Sequence, residues 1–229
     1  MFSLGRAAIP RFFLLSRGAD SELYQAWRDA IKEVAPASVH DKFELLSADL
    51  KELPAKKIAV DCVVSPANSY GIMDGGYDLA LSLMFRGKGK DGEKTLTRYC
   101  QAALREKWAG YLPPSSCMLM PIPAEVENPL KAKVLAVLPT MRIPEDASWR
   151  RDLVYNSMWA LLNAIRTHDA PLESVLLTGL GTGTGCVSPK RCAVQMMLAV
   201  KHFVEGIPEN GTWNDVMPVA LEVDETFKL

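Results

Sequence analysis

Twice in this chain a short apolar run, dense enough for a buried strand, ends in a glycine-bearing loop that leads into a helical pattern. The first run, residues 58–64, gives way to Ser65-Pro66-Ala67-Asn68-Ser69 and then to Asp74-Gly75-Gly76-Tyr77-Asp78. The second, residues 174–178, gives way to Gly179-Leu180-Gly181-Thr182-Gly183-Thr184-Gly185. A buried strand followed by a helix is the repeating unit of an α/β fold. Glycine lets backbone N–H groups close on an anion, and a helix N-terminus adds a favourable dipole. Two such loops facing one cleft would make a site for a diphosphate.

The remaining pattern extends this plan. Strands are expected at residues 12–16, 43–46, 116–120 and 134–138, with another near 216–220. Helical periodicity covers residues 21–34, 77–85, 94–108, 151–167 and 189–204. In the fourth of these, Leu153, Met158, Leu161, Leu162 and Ile165 share one face. In the last, Ser188 is placed to cap the helix and Pro189 to fill its first turn. Strands alternating with helices predict an α/β fold, a three-layer α/β/α sandwich with a mixed central sheet. At 229 residues, the chain reads as a single domain over 1–229, with 1–10 as a loose tail. The basic, glycine-rich segment 86–92 reads as a solvated connector, and 121–133 as a surface excursion.

Composition excludes several roles. With 26 basic against 27 acidic residues, nothing suggests a broad nucleic-acid surface. No apolar run approaches the roughly 20 residues that span a bilayer, so no membrane partner is expected. Five cysteines are scattered without a C-x-x-C motif, which fits a reducing, cytoplasmic setting. A nuclear location is compatible too. The N-terminus carries Arg6, Arg11 and Arg17 and no acid before Asp20, which leaves a mitochondrial alternative; its other reading is a first strand. Cys186, Cys192 and His202 match no standard zinc spacing, so no metal and no cofactor are expected.

The glycine loops fail three familiar patterns. G-x-G-x-x-G breaks at Thr184 when started from Gly179 and at Cys186 when started from Gly181. The P-loop sequence G-x4-G-K-[ST] is absent, as is the G-x-S-x-G nucleophile elbow. What the loops do resemble is the macrodomain family, an ADP-ribose-binding α/β/α module. Its pattern D-x-[IV]-V-[NS]-x-A-N-S is similar to Asp61-Cys62-Val63-Val64-Ser65-Pro66-Ala67-Asn68-Ser69 here. The glycine loop that follows runs from Tyr70 to Gly75-Gly76-Tyr77-Asp78. A second family element resembles Gly181-Thr182-Gly183-Thr184-Gly185-Cys186, and a third resembles Ala48-Asp49-Leu50. The segment Leu138-Pro139-Thr140-Met141-Arg142 is similar to a loop of a phage- and fungal-type branch. The resemblance covers about residues 40–205.

That resemblance implies a ligand site for ADP-ribose or an ADP-ribosylated substrate. Asp49, beside Leu50, would accept a hydrogen bond from the adenine amino group. Ser65, Pro66, Ala67 and Asn68 would contact the ligand, with Asn68 bonding the distal ribose hydroxyls. Gly75, Gly76 and the run Gly181, Thr182, Gly183, Thr184 and Gly185 would offer N–H donors to the phosphates, with Thr182 and Thr184 adding hydroxyls and Cys186 as a further ligand contact. Tyr77 would stand at the cleft, and Arg142 would reach a phosphate or a substrate carboxylate. Asp78, with Asn68, would be catalytic, its carboxylate orienting or activating a water. Each position also has a purely structural reading: Asp49 as a helix cap, Asn68 as a turn residue, Asp78 as a first-turn acid, the glycines as turn geometry. The implied activity is hydrolysis of ADP-ribosyl esters, of the mono-ADP-ribosyl hydrolase or O-acetyl-ADP-ribose deacetylase type. A non-catalytic reader, and a structural protein that kept the fold and lost the ligand, remain as alternatives. Three departures stand out: Ser65 replaces the usual asparagine, and Met73 and Asp74 replace glycines. The Asp74 carboxylate is expected to point away from a diphosphate or to bind ligand hydroxyls.

Overall fold

Phe12, Phe13, Leu14 and Leu15 are all buried, but in two different places: Phe12 and Leu14 in one apolar cluster, Phe13 and Leu15 in another. Successive side chains of a strand point to opposite faces, so this strand is covered on both sides. The computed structural model describes residues 8–229, and the strand is β1, Arg11–Ser16. The same alternation recurs in β3 (Cys62–Ser65), β5 (Val134–Val137) and β6 (Ser174–Leu177). With β2 (Phe43–Ser47) and β4 (Met118–Pro121) they form a six-stranded sheet in the order β2-β1-β6-β3-β5-β4. Only β4 runs antiparallel to its neighbour, so the sheet is mixed as expected.

Helices α1 (Glu22–Glu33), α4 (Leu153–Arg166) and α5 (Pro189–Glu205) cover one face. Helices α2 (Gly76–Met84) and α3 (Thr95–Trp108) cover the other. The result is the three-layer α/β/α sandwich read from the sequence. Ser188 caps α5, its side chain accepting from the Arg191 N–H at 3.1 Å, with Pro189 in the first turn.

Four expectations need correction. The strand expected near 216–220 is part of a helix, α6 (Trp213–Glu225), set by a capping box between Thr212 and Asp215. The strand expected over 58–64 is confined to its second half, because residues 58–60 do not pair in the sheet. Segment 86–92 is only partly a solvated connector. Gly87 and Gly92 are buried and joined by a 2.8 Å hydrogen bond, and Arg86 accepts from the Glu127 N–H at 2.8 Å. Segment 121–133, which joins β4 to β5, buries Val126, Leu130 and Ala132 in the core rather than lying wholly on the surface. Of the expected loose tail, residues 1–7, including Arg6, lie outside the described residues, whereas Ile9 is already buried.

The topology creates the site. Strands β3 and β6 are parallel neighbours. From β3 the chain passes to α2 on one face of the sheet; from β6 it passes to α5 on the other. Loops that leave adjacent parallel strands toward opposite faces open a crevice at the strands' carboxyl ends, where α/β proteins bind ligands.

Candidate functional site

The first wall of the crevice continues the ladder between β3 and β5 beyond the strands. Ser65 and Ala67 accept from the N–H groups of Leu138 and Thr140 at 2.9 and 3.0 Å, and Met141 accepts from Ser69 at 3.1 Å. Pro66, Ala67 and Asn68 are thus held rigidly beside Thr140 and Met141. Asn68 then shapes the turn that follows. Its Oδ1 accepts from the N–H groups of Tyr70 and Ile72 at 3.1 and 3.3 Å, and its Nδ2 donates to the Ile72 carbonyl at 2.7 Å. One N–H of the Asn68 amide is left for anything in the cleft. The loop ends at Gly75, which precedes α2 without a side-chain cap.

In the second wall three carbonyls are taken up by the protein's own N–H groups. Gly181 accepts from Val187, Gly183 from Cys186 and Gly185 from Ala147, each at 3.0 Å. Gly181 adopts a φ of 71°, a left-handed conformation costly for other residues. A Cβ at Gly185 would stand 2.6 Å from the Gly181 carbonyl oxygen, so the loop can close only around hydrogen there. Among the described residues, the N–H groups of Gly75, Gly76, Thr182, Gly183 and Thr184 have no hydrogen-bond partner. Among the described residues, nothing lies within 4 Å of where a Cβ would stand at Gly75, Gly76 or Gly183.

Between the walls lies a cleft of about 330 Å³. Pro66, Ala67, Asn68, Gly75, Gly76, Tyr77, Asp78, Gly181, Thr182, Gly183 and Thr184 all line it, so the structure brings these expected residues together. Gly76, Tyr77 and Thr178 also form a wall of a second cavity, of about 440 Å³, lined further by Leu15, Arg17, Leu23 and Leu50. The two cavities thus adjoin across a shared wall of Gly76, Tyr77 and Thr178.

Other expected residues fall outside the cleft. Ser65 is buried beneath it. Asp49 pairs with Arg17, Oδ1 lying 2.6 Å from Nε, and forms a capping box with Glu52 next to the second cavity. Gly185 packs against Gly181. Cys186 is exposed with φ 54°, its Sγ 3.4 Å from the Thr184 carbonyl. The exposed Arg142 is not a lining residue; its carbonyl accepts from Ser69 at 3.2 Å. Conversely, Ile72, Asp74, Thr140, Met141, Pro144, Thr178 and Gly179 line the cleft and were not among the expected site residues. The signal for Thr140 and Met141 was their place immediately after an apolar strand, the same signal that located the glycine loops. Asp74, expected to point away or to bind ligand hydroxyls, lies on the lining, as the second alternative requires.

The electrostatics centre on Asp78. Burial pushes its pKa up to about 6; the Ser65 hydroxyl, donating to Oδ1 at 2.6 Å, works against the rise, and the Asp74 charge adds to it. Burial likewise pushes the Tyr77 phenol up. Tyr77 Oη and Thr140 Oγ1 are buried without a partner among the described residues. No Lys, Arg or His side chain among the described residues lines the cleft, so an anion there would be held by backbone N–H groups.

Fold and cleft define an α/β/α sandwich with a two-loop crevice at the switch point of a mixed sheet. The family model of the macro-like domain matches residues 31–217, and the chain belongs to that family. Among solved structures it is similar to the macrodomain of Mycobacterium tuberculosis DarG, at 16% identity and a TM-score of 0.50, over 69% of this chain and 90% of that one. It is also similar to the Oceanobacillus iheyensis macrodomain with ADP, at 15% identity and TM-score 0.48, over 74% and 85% of the two chains. A variant of that macrodomain with ADPR is 14% identical, with TM-score 0.46, over 74% and 88%. No curated protein matches the sequence.

Proposed function

We propose that this chain binds ADP-ribose or an ADP-ribosyl derivative in the cleft between the two glycine loops and hydrolyses ADP-ribosyl esters. The observation that carries the reading is the position of Asp78: a buried carboxylate on the lining of a cleft whose two loops offer unpartnered N–H groups. The diphosphate would take the N–H groups of Gly75, Gly76, Gly183 and Thr184, and the adenosine would extend toward Leu50 and Tyr77. Asp78 would accept a proton from water as its oxygen attacks the anomeric carbon of the distal ribose. The bond to the ester oxygen breaks, its electron pair leaving with the carboxylate. A carboxylate beside that carbon also stabilises the positive charge that develops there.

A second reading, a reader that binds without turnover, is supported by Asn68. Its amide is largely committed to its own loop, which leaves Asp78 with little help in orienting the ribose. Thermal shift against ADP-ribose, its 1″-phosphate, NAD, AMP and ATP tests binding. Ligand at about 100 times Kd stabilises by roughly 2.7 kcal/mol. Release of ADP-ribose from an acid-linked conjugate tests turnover. Binding with no product over hours selects the reader, and no shift with any ligand sinks both readings.

Gly183→Val separates the ligand from the fold. The added Cβ meets no atom of the described residues within 4 Å, so stability without ligand should stay within about 0.5 kcal/mol of the parent protein. It fills the phosphate position, however, and calorimetry should show ADP-ribose affinity falling about tenfold or more, at least 1.4 kcal/mol.

A further inference from the structure

We infer that Ser65 is a positioning residue of this site, holding one oxygen of the Asp78 carboxylate from below so that only the other is free to bond a water in the cleft. The inference rests on the proposed role of Asp78 but assigns Ser65 a task other than ligand contact. Ser65 is the last residue of β3, 1% exposed, and its carbonyl is bound by the Leu138 N–H. Its hydroxyl is therefore mounted on the buried end of a central strand of the sheet. Asp78 lies thirteen residues later, in the first turn of α2, beyond the whole first glycine loop. One 2.6 Å hydrogen bond from Ser65 Oγ to Asp78 Oδ1 thus ties the far end of that loop back to the sheet. A group mounted on a strand fixes a reacting carboxylate more closely than the loop alone could.

The surroundings leave Ser65 without a substitute. The titratable groups that face Asp78 are Asp74 on its own loop, Tyr77 beside it and Cys100 on α3. None of them is cationic, and among the described residues no other side chain donates to Asp78. With the Ser65 hydroxyl present, the ionised form keeps one bonded oxygen and one available oxygen. Without it, the carboxylate loses its only side-chain donor and is free to rotate, and protonation becomes easier. Ser65 stands outside the cleft lining, so its removal leaves the ligand contacts themselves in place.

The test is a carbon-13 NMR titration of the aspartate carboxyls in the ligand-free protein, with the Asp78 signal assigned by its loss in Asp78→Asn. The parent midpoint is expected near 6. Ser65→Ala should raise it by about 0.5–1 unit, and Ser65→Thr, which keeps the hydroxyl, should restore it. The acid limb of kcat against pH on an acid-linked ADP-ribosyl conjugate should move by the same amount, so that Ser65→Ala recovers rate at higher pH. If Ser65→Ala does not fold, Ser65→Cys, a near-isosteric change to a far weaker donor, takes its place. An unchanged Asp78 midpoint, or a loss of rate equal at every pH, overturns the assignment. A parent protein without turnover overturns the hydrolase reading instead, and the NMR arm still decides the role of Ser65.

Discussion

Asp78→Ala should slow release of ADP-ribose from an acid-linked conjugate by ~10²-fold or more, the usual contribution of a positioned general base. Binding should survive, because the proposed phosphate donors belong to the backbone of the two loops. Asp78→Asn should be as slow, yet more stable at neutral pH. The folded protein raises the Asp78 pKa from 3.8 to about 6. Between those values the folded state holds a proton that the unfolded chain has released. Stability from this group is therefore greatest below pH 4 and falls as pH rises through 6. An amide in its place removes the penalty, a gain on the order of 1–3 kcal/mol at pH 7 and none at pH 4. Denaturant unfolding at the two pH values measures it. Equal catalytic rates for the parent protein and Asp78→Ala would remove Asp78 from the mechanism.

Gln195→Leu should lower stability by about 3 kcal/mol, enough to bring the melting temperature down by roughly 6–12 °C in a chain of this size. Helix α4 starts without a side-chain cap of its own, since Asp152 makes no capping bond. Gln195, fully buried on α5, does that work across the helix–helix contact. Its Oε1 accepts from the N–H groups of Val154 and Tyr155, both at 3.2 Å, and its Nε2 donates to the Arg151 carbonyl at 2.6 Å and to Thr226 Oγ1 at 2.7 Å. Leucine satisfies none of the four, and each buried group left unpaired costs about 1–3 kcal/mol before water or local relaxation recovers part of it. Gln195 is not a lining residue of the cleft, so ADP-ribose affinity per folded molecule should change far less than stability does. A calorimetric scan showing a melting temperature within 2 °C of the parent would mean that water replaces the glutamine readily.

Much of the fold was legible because its signals are local. Phe12 to Leu15, Cys62 to Val64 and Val175 to Leu177 are apolar without interruption, as strands covered on both faces must be. Ser188-Pro189 marks the start of α5 whatever lies around it. The run Val216-Met217-Pro218-Val219-Ala220 misled for the same reason. It has strand-like composition, and the capping box four residues earlier, Thr212 with Asp215, is the stronger local instruction. Ile58 and Val60 are apolar enough for a strand, but they lie before the point where β3 meets β5 and β6.

In the site, glycine spacing pointed to the two loops, and those loops do share one cleft. Side-chain roles were less legible. Nothing in Asn68 itself says that three bonds to Tyr70 and Ile72 occupy its amide. Arg142 follows two cleft-lining residues in sequence but leaves the lining as the chain turns outward. Asp74 looked unsuited to a diphosphate site, yet it lies on the cleft lining and raises the pKa of its neighbour.

By itself, then, the sequence determined the α/β class, most of the element order and the two loops able to present N–H groups, because these depend on residue type and on spacing within one segment. The pairing of β3 with β6, the crevice between loops leaving for opposite faces, and the bond from Ser65 to Asp78 were decided only by the tertiary structure. Each depends on groups far apart in the chain being brought within a few ångströms. The raised pKa of Asp78 belongs to the same class, since desolvation comes from the packing around a carboxylate and not from the residues beside it in sequence.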